Sequence, residues 1–314
     1  MEATARLGLG ATGVTVSRFG LGCAPLGGLY ESVSDEQARA TVDRAWELGV
    51  RFFDTAPLYG SGLSEQRVGA ALRERPRGAY ALSTKVGRLL ADGGASDPMF
   101  EGAPAASPVF DFSHDGALRS LEASIERLGL DRVDVALIHD PDDHYEEARD
   151  GAYRALARLR DEGVVGAIGV GMNQTEALVR FAQETDVDCF LLAGRYTLLD
   201  QGALGELLPL CVERGVAVIA GGVFNSGILA SDDGKGHFDY HSATPEQSEQ
   251  VRQLAATCAR WNVPLQAAAV QFPFGHPAVA CALVGCRSPE EVAEDVRLFE
   301  LELPPGLWEE LLPG

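Results

Sequence analysis

Eight short apolar runs, each followed by a segment with apolar residues at helical spacing, predict a closed (β/α)8 barrel. Three of those helical segments stop on a glycine immediately before the next run, as a C-cap would. The chain has 314 residues, a length that single barrels reach, and no linker interrupts the alternation, so residues 1–314 read as one domain. A doubly wound sheet also alternates strand and helix. It calls for a G-x-G-x-x-G turn after the first strand, and that turn is missing.

The elements follow in chain order. RLGLGATGVTVSRFGLG over 6–22 places a turn-forming ATG between two alternating runs, which predicts an N-terminal β-hairpin at the bottom of the barrel. The eight strand candidates are SRFGLG at 17–22, VRFFDTA from Val50, YALSTKV from Tyr80, VDVALIH from Val133, AIGVGMN from Ala167, CFLLAG from Cys189, VAVIAGG from Val216 and ACALVGC from Ala280. Between them, SDEQARATVDRAWELG opens on the cap residue Ser34 and closes on Gly49. SHDGALRSLEASIERLG closes on Gly129, and LGELLPLCVERG on Gly215. Two connections, 88–112 and 224–244, are too long for simple turns. Both leave the C-terminal end of a strand, the face on which barrels build their sites, so they read as a substrate lid or cofactor clamp.

Charge narrows the function. Acidic residues outnumber basic ones by 46 to 26, a formal net charge of −20, which argues against nucleic acid and anionic membrane as partners. No stretch approaches the length of an apolar span, and MEATARLGLG lacks the apolar core of a signal peptide, so a cytoplasmic enzyme is expected. Six cysteines without a CxxC pair read as packed, reduced thiols. A small-molecule substrate and a monomer or small homo-oligomer are expected.

Polar residues that end apolar strands point into a barrel's mouth. Asp54 ends RFFD, Lys85 follows YALST, and His139 ends VALIH, while Tyr59 sits on the loop leaving the Asp54 strand. Such a group suits proton delivery to a carbonyl. An ammonium beside a phenol favours phenolate, and a carboxylate holds the ammonium in place. Tyr59 is then the acid, Lys85 its tuner, Asp54 the anchor, and neutral His139 orients the substrate oxygen. Each residue alone has an ordinary structural reading. Their joint placement on neighbouring strand ends carries the functional one.

FFDTAPLYG, STKVG and LIHDPD together resemble the catalytic segments of the aldo-keto reductases, with Asp54, Tyr59, Lys85 and His139 at that family's positions. The resemblance runs from GLGCAPLGG, where Gly22 and Cys23 fall among the cofactor contacts, to VGCRSPEEVAED. It implies a TIM barrel, a nicotinamide nucleotide, NAD(P)(H), bound without a Rossmann domain, and reversible hydride transfer to or from a carbonyl. GVGMN is similar to the segment whose Asn holds the carboxamide, here Asn173, with Met172 in place of the usual Ser. In LLAGRYTLLDQ the family's Gln is replaced by Ala193. GGVFNSGIL resembles the pyrophosphate loop and implicates Gly221, Gly222, Val223, Phe224, Asn225 and Gly227. GCRSPEEVAED resembles the adenosine end, with Ser288 and Pro289 opening the last barrel helix and Cys286, Arg287, Glu291, Glu294 and Asp295 around the ribose. A carboxylate at Glu291, where members preferring NADP carry a basic residue, favours NAD over NADP.

Within the family, HDPD, AGRYTLLDQ and GVFNSGIL look most like the branch of sugar and pyridoxal dehydrogenases. That likeness implies an aldose, L-fucose-like, oxidised to a lactone with Tyr59 acting in reverse as base. Asp140 and Tyr30 are the candidate substrate contacts, and Asp142, Asp143 and His144 are further polar residues suited to a polyol. A reductase of aldehydes or natural-product ketones would share every catalytic residue. A metal-dependent hydrolase is disfavoured because no HxH or HExxH appears, and no metal site is expected. A Schiff-base lyase on Lys85 leaves Tyr59 unexplained. A nucleotide-sensing interaction module remains the reading of another class.

Overall fold

A computed structural model describes residues 1–239 and 241–312. Tyr240, within the connection expected over 224–244, and Pro313 and Gly314, at the end of the expected domain, lie outside the described residues. Eight strands close into a barrel: β1 (Phe19–Gly22), β2 (Phe52–Asp54), β3 (Ala81–Val86), β4 (Val135–His139), β5 (Ala167–Met172), β6 (Cys189–Ala193), β7 (Ala217–Gly221) and β8 (Val279–Gly285). Each pairs in parallel with its neighbours in chain order, and β8 closes on β1 with Gly285 opposite Gly22. All eight coincide with the apolar runs.

Helices return the chain between strands. They are α1 (Asp35–Glu47), α2 (Leu63–Leu72), α3 (His114–Leu128), α4 (Tyr153–Asp161), α5 (Thr175–Glu184), α6 (Leu207–Arg214), α7 (Pro245–Arg260), α8 (Leu265–Gln271), α9 (Pro289–Glu300) and α10 (Pro305–Leu311). Four of these starts, those of α1, α3, α7 and α9, are set by side-chain caps: Ser34, Ser113, Thr244 and Ser288 each accept the backbone N–H three residues on. Gly49, Gly129 and Gly215 take the left-handed backbone expected of them after α1, α3 and α6.

Period-two alternation along the strands divides the apolar residues into two cores. Phe53, Leu82, Ala136, Ile138, Ile168, Phe190, Leu192, Val218 and Ala220 face the helices. Phe52, Ala81, Val135, Leu137, Ala167, Cys189, Leu191, Ala217 and Ile219 fill the barrel, together with Leu9 and Val16. Those two come from the N-terminal hairpin, Arg6–Gly8 paired antiparallel with Thr15–Ser17, which therefore seals the bottom as the sequence suggests. Two carboxylates buckle the same end. Asp134 accepts the Leu82 N–H at 2.8 Å and pairs with Arg77 at 2.7 Å, and Asp188 accepts the Ile168 N–H at 2.8 Å and pairs with Arg160 at 3.2 Å.

The connection 88–112 is more ordered than a loop. Arg88–Asp92 pairs antiparallel with Ala106–Phe110, forming a ribbon above the barrel. The connection 224–244 carries a short antiparallel pair, His237–Phe238 with His241–Ser242. All six cysteines are free and buried.

Candidate active site

The alternation that fills the barrel also decides which side chains crown it. Asp54 follows Phe52 on the inner face, Lys85 follows Ala81 and Ser83, and His139 follows Val135 and Leu137. Lys85 Nζ donates to Asp54 Oδ2 at 2.7 Å and to the Thr55 carbonyl at 2.9 Å. Ser83 Oγ donates to the other carboxylate oxygen at 2.6 Å, so both oxygens of Asp54 are satisfied. Both members of the pair are 1% exposed.

Tyr59 arrives from the turn after β2, held by a close approach of two backbones. A Cβ on Gly27 would come within 2.6 Å of the Tyr59 carbonyl carbon, and one on Gly60 would strike the Gly27 carbonyl. The Tyr59 ring lies with its centroid 4.7 Å from Lys85 Nζ and edge-on to His139 at 5.9 Å, with Phe100 beside it at 6.0 Å. The expected quartet is thus assembled at one spot.

Its electrostatics differ from expectation in one respect. Burial raises the Tyr59 pKa, the Lys85 ammonium lowers it, and the Asp54 carboxylate raises it again, leaving the phenol above its ordinary value rather than acidified. The tuner is largely neutralised by its own anchor. For Lys85, burial works against the charge, but Asp54 and Tyr59 outweigh it and hold the ammonium well above its usual range. His139 is pushed well below its ordinary pKa by burial, then by Arg88 and Lys85, so it is neutral. Its Nε2 faces Asp140 Oδ2 at 3.5 Å, while the buried Nδ1 has no hydrogen-bond partner among the described residues. A bare acceptor is cheaper to bury than a bare donor beside a carboxylate's claim on Nε2, which assigns the proton to Nε2 and points it into the mouth.

Beside His139 opens a cavity of about 440 Å³, lined by Arg88, Phe110, Asp140, Asp142, Asp143, His144 and Gln174. Arg88 pairs with Asp140 at 2.6 Å across 52 residues of sequence. Burial raises the Asp140 pKa to about 6 against the lowering effect of Arg88. Sequence reasoning placed Asp140 and its acidic neighbours here but missed Arg88 and Phe110. The usable signal was Arg88 leaving the lysine strand three residues after Lys85.

The cofactor candidates fall into groups. The turn after β7 has left-handed backbone at Gly222, Asn225, Ser226 and Gly227, and a Cβ on Gly227 would meet nothing within 4 Å. Asn225 is 2% exposed. Its Nδ2 donates to the Gly194 carbonyl at 3.1 Å, and its Oδ1 is without a partner among the described residues. Gly22 and Gly221 end their strands at the mouth, and Phe224 and Asn173 stay partly exposed. The side chains of Cys23, Met172, Val223 and Cys286 are buried in the helix-facing core, so for Cys23, Val223 and Cys286 only backbone is available to a ligand. Ala193 stands partly buried at the end of β6.

At the adenosine end, Ser288 caps α9 as expected. Arg287 Nη1 pairs with Glu31 at 2.6 Å, a partner sequence reasoning missed, and Arg287 Nε lies 3.4 Å from Glu291. Glu294 is committed to Arg297 at 2.6 Å. Asp295 accepts from Cys286 at 3.5 Å, and burial lifts its pKa to about 7. Tyr30 is not among the residues lining the cavity; it stacks on His237 at 5.6 Å and its hydroxyl engages Ser226. Arg195 adds a two-pronged pair to Asp239 at 2.8 Å, tying the β7 connection to β6. Among the described residues no cluster of His, Cys, Asp or Glu could hold a metal ion, and no helix is long and apolar enough to cross a membrane.

Comparison with known proteins gives consistent matches. The family model described as the Aldo/keto reductase family matches residues 18–311. A pyridoxal 4-dehydrogenase from Microbacterium luteolum is 41% identical, covering 98% of this chain and 96% of its own. A D-threo-aldose 1-dehydrogenase from a Pseudomonas species is also 41% identical, covering 96% and 94%. Among solved structures, a holo aldo-keto reductase from Bacillus halodurans superposes with a TM-score of 0.80 at 26% identity, over 98% of this chain and 95% of that one.

Proposed function

The chain belongs to the aldo/keto reductase family, and from that premise we propose that it oxidises a cyclic hemiacetal to a lactone, the substrate being an aldose in its ring form. The chain is an oxidoreductase acting on CH–OH groups. Aldoses and pyridoxal, named for the two relatives at 41% identity, share one feature: both close on themselves as cyclic hemiacetals. The observation that carries the proposal is the buried Lys85–Asp54 pair under Tyr59, with His139 and an acid-lined cavity alongside.

The residues present fit a nicotinamide nucleotide. Asn225 offers a buried acceptor without a partner beside two exposed glycines of left-handed backbone, and Asn173 stands partly exposed at the end of β5. When bound, the nucleotide supplies the hydride acceptor for oxidation or the donor for reduction. The protein handles the proton. His139 Nε2–H donates to the hemiacetal oxygen and fixes it near Tyr59. Tyr59, in the small phenolate fraction that its raised pKa leaves, takes the hydroxyl proton while the C–H bond breaks, and the new C=O bond completes the lactone. Lys85 stabilises the phenolate across its ring face, and Asp54 fixes the ammonium there. In reduction the same phenol gives the proton back. NAD is favoured over NADP because Glu31 and Glu291 both pair with Arg287, so that cation is already engaged and two carboxylates stand where a 2′-phosphate would come.

Tyr59→Phe tests the assignment, with reduced-nicotinamide absorbance followed for aldoses, pyridoxal and simple aldehydes. The variant is expected to lose about 10²- to 10⁴-fold in turnover while its nucleotide affinity stays unchanged. Turnover close to that of the unaltered protein would overturn the role of Tyr59.

A further inference from the structure

The geometry points to the ribbon Arg88–Asp92/Ala106–Phe110 as a specificity element: Arg88 and Phe110, with Asp140, Asp142 and Asp143, form a subsite for the hydroxyls of a neutral sugar ring. This rests on the reading above and adds what selects the substrate. Three observations support it.

The first is placement. The cavity lies beside His139, whose Nε2 is 3.5 Å from Asp140 Oδ2, so a ring presented to Tyr59 by its anomeric hydroxyl extends its remaining hydroxyls over Asp140 and Arg88. The second is chemistry. A guanidinium and a carboxylate held edge to edge at 2.6 Å offer donors and acceptors side by side, the complement of a vicinal diol in which each hydroxyl both donates and accepts. Arg88 Nε is buried and has no hydrogen-bond partner among the described residues. Phe110, 50% exposed and bordering the cavity, supplies apolar surface for ring C–H groups. Its ring is held by Phe112 at 6.0 Å, by His144 at 5.3 Å and by the Arg88 guanidinium at 5.1 Å, so a large apolar side chain is kept in place at the surface.

The third observation is charge. Asp140, Asp142 and Asp143 all line the cavity, with Arg88 already paired to Asp140, and His144 is turned to Glu147 at 3.4 Å. Carboxylates accept hydroxyl protons but repel anions. The site therefore selects neutral sugars over uronic acids and sugar phosphates.

The test compares two substrates that share the reacting carbon: L-fucose and 2-hydroxytetrahydropyran, a cyclic hemiacetal without further hydroxyls. Arg88→Gln and, separately, Phe110→Ser are expected to lower kcat/KM for L-fucose by about 10- to 100-fold, mostly through KM. For Phe110→Ser, which touches neither His139 nor Asp140, the loss for 2-hydroxytetrahydropyran is expected to stay within about threefold, which also reports that this variant folds and keeps the reacting centre intact. Asp142→Asn/Asp143→Asn is expected to raise kcat/KM for galacturonic acid relative to L-fucose. Equal losses on both substrates, or none, would overturn the subsite while leaving the hemiacetal oxidation in place. If the unaltered protein oxidises 2-hydroxytetrahydropyran as well as L-fucose, the subsite is likewise refuted. If it oxidises neither, the proposed function falls.

Discussion

Replacing Lys85 by Met asks whether the ion pair under Tyr59 is a sound structural unit or a costly one kept for chemistry. At 2.7 Å and an effective dielectric constant near 20, the pair's attraction is about 6 kcal/mol. Desolvating two charges that are each 1% exposed costs several kcal/mol per ion, so the intact pair comes out near neutral. Removing one partner is another matter. Asp54 would keep the Ser83 hydroxyl at 2.6 Å but lose the one cation paired with it among the described residues, leaving a buried charge uncompensated. We expect Lys85→Met to destabilise the protein by about 3–5 kcal/mol. With a urea dependence near 3 kcal/mol/M for a chain of this size, that moves the unfolding midpoint down by about 1 M or more. Adding Asp54→Asn removes the stranded charge and is expected to restore most of the loss, while turnover stays abolished in both. Urea unfolding followed by tryptophan fluorescence and circular dichroism measures each arm. A single variant within about 1 kcal/mol of the parent, or a double variant no more stable than the single, would refute the reasoning.

Two further predictions concern the same mouth. His139, neutral in the fold, is expected to show the Nε2–H tautomer by nitrogen NMR and not to titrate around the ordinary histidine pKa. The unfolded chain takes up that proton near pH ~6.5, so through this group stability falls as pH drops below ~6.5; a folded-state midpoint near 6.5 would contradict the assignment. Glu291→Arg combined with Glu31→Gln frees Arg287 and adds a second cation. The ratio of NADP to NAD dissociation constants should then fall by about tenfold or more, and an unchanged ratio would remove the basis for preferring NAD.

The barrel was readable because its strands are apolar runs bounded by glycine stops, and local signals of that kind survive in sequence. Asp54, Lys85 and His139 were readable for a related reason, since each ends such a run and period two carries it inward. What escaped has no local signature. Arg88 and Asp140 meet across 52 residues without any shared periodicity. The ribbon that carries Arg88 pairs Leu90 with Pro108, and a proline in that half hides the alternation that would have marked a strand. Tyr30, expected at the substrate, stacks on His237, which lies in the connection after β7. The Tyr59 phenol was misjudged because proximity to an ammonium can be read from residue order, whereas the depth of burial that outweighs it belongs to the folded state.

The hairpin plug and the two carboxylate buckles have a consequence for how this protein can change. At the end of the tube remote from Tyr59, Leu9 and Val16 cork the interior and Asp134 and Asp188 clasp neighbouring strands. The ribbon at the rim stands apart from both: exchanging Arg88–Phe110 for a ribbon of another length or polarity disturbs neither cork nor clasp. New selectivity in such a scaffold is a matter of re-trimming one edge, with the foundation untouched.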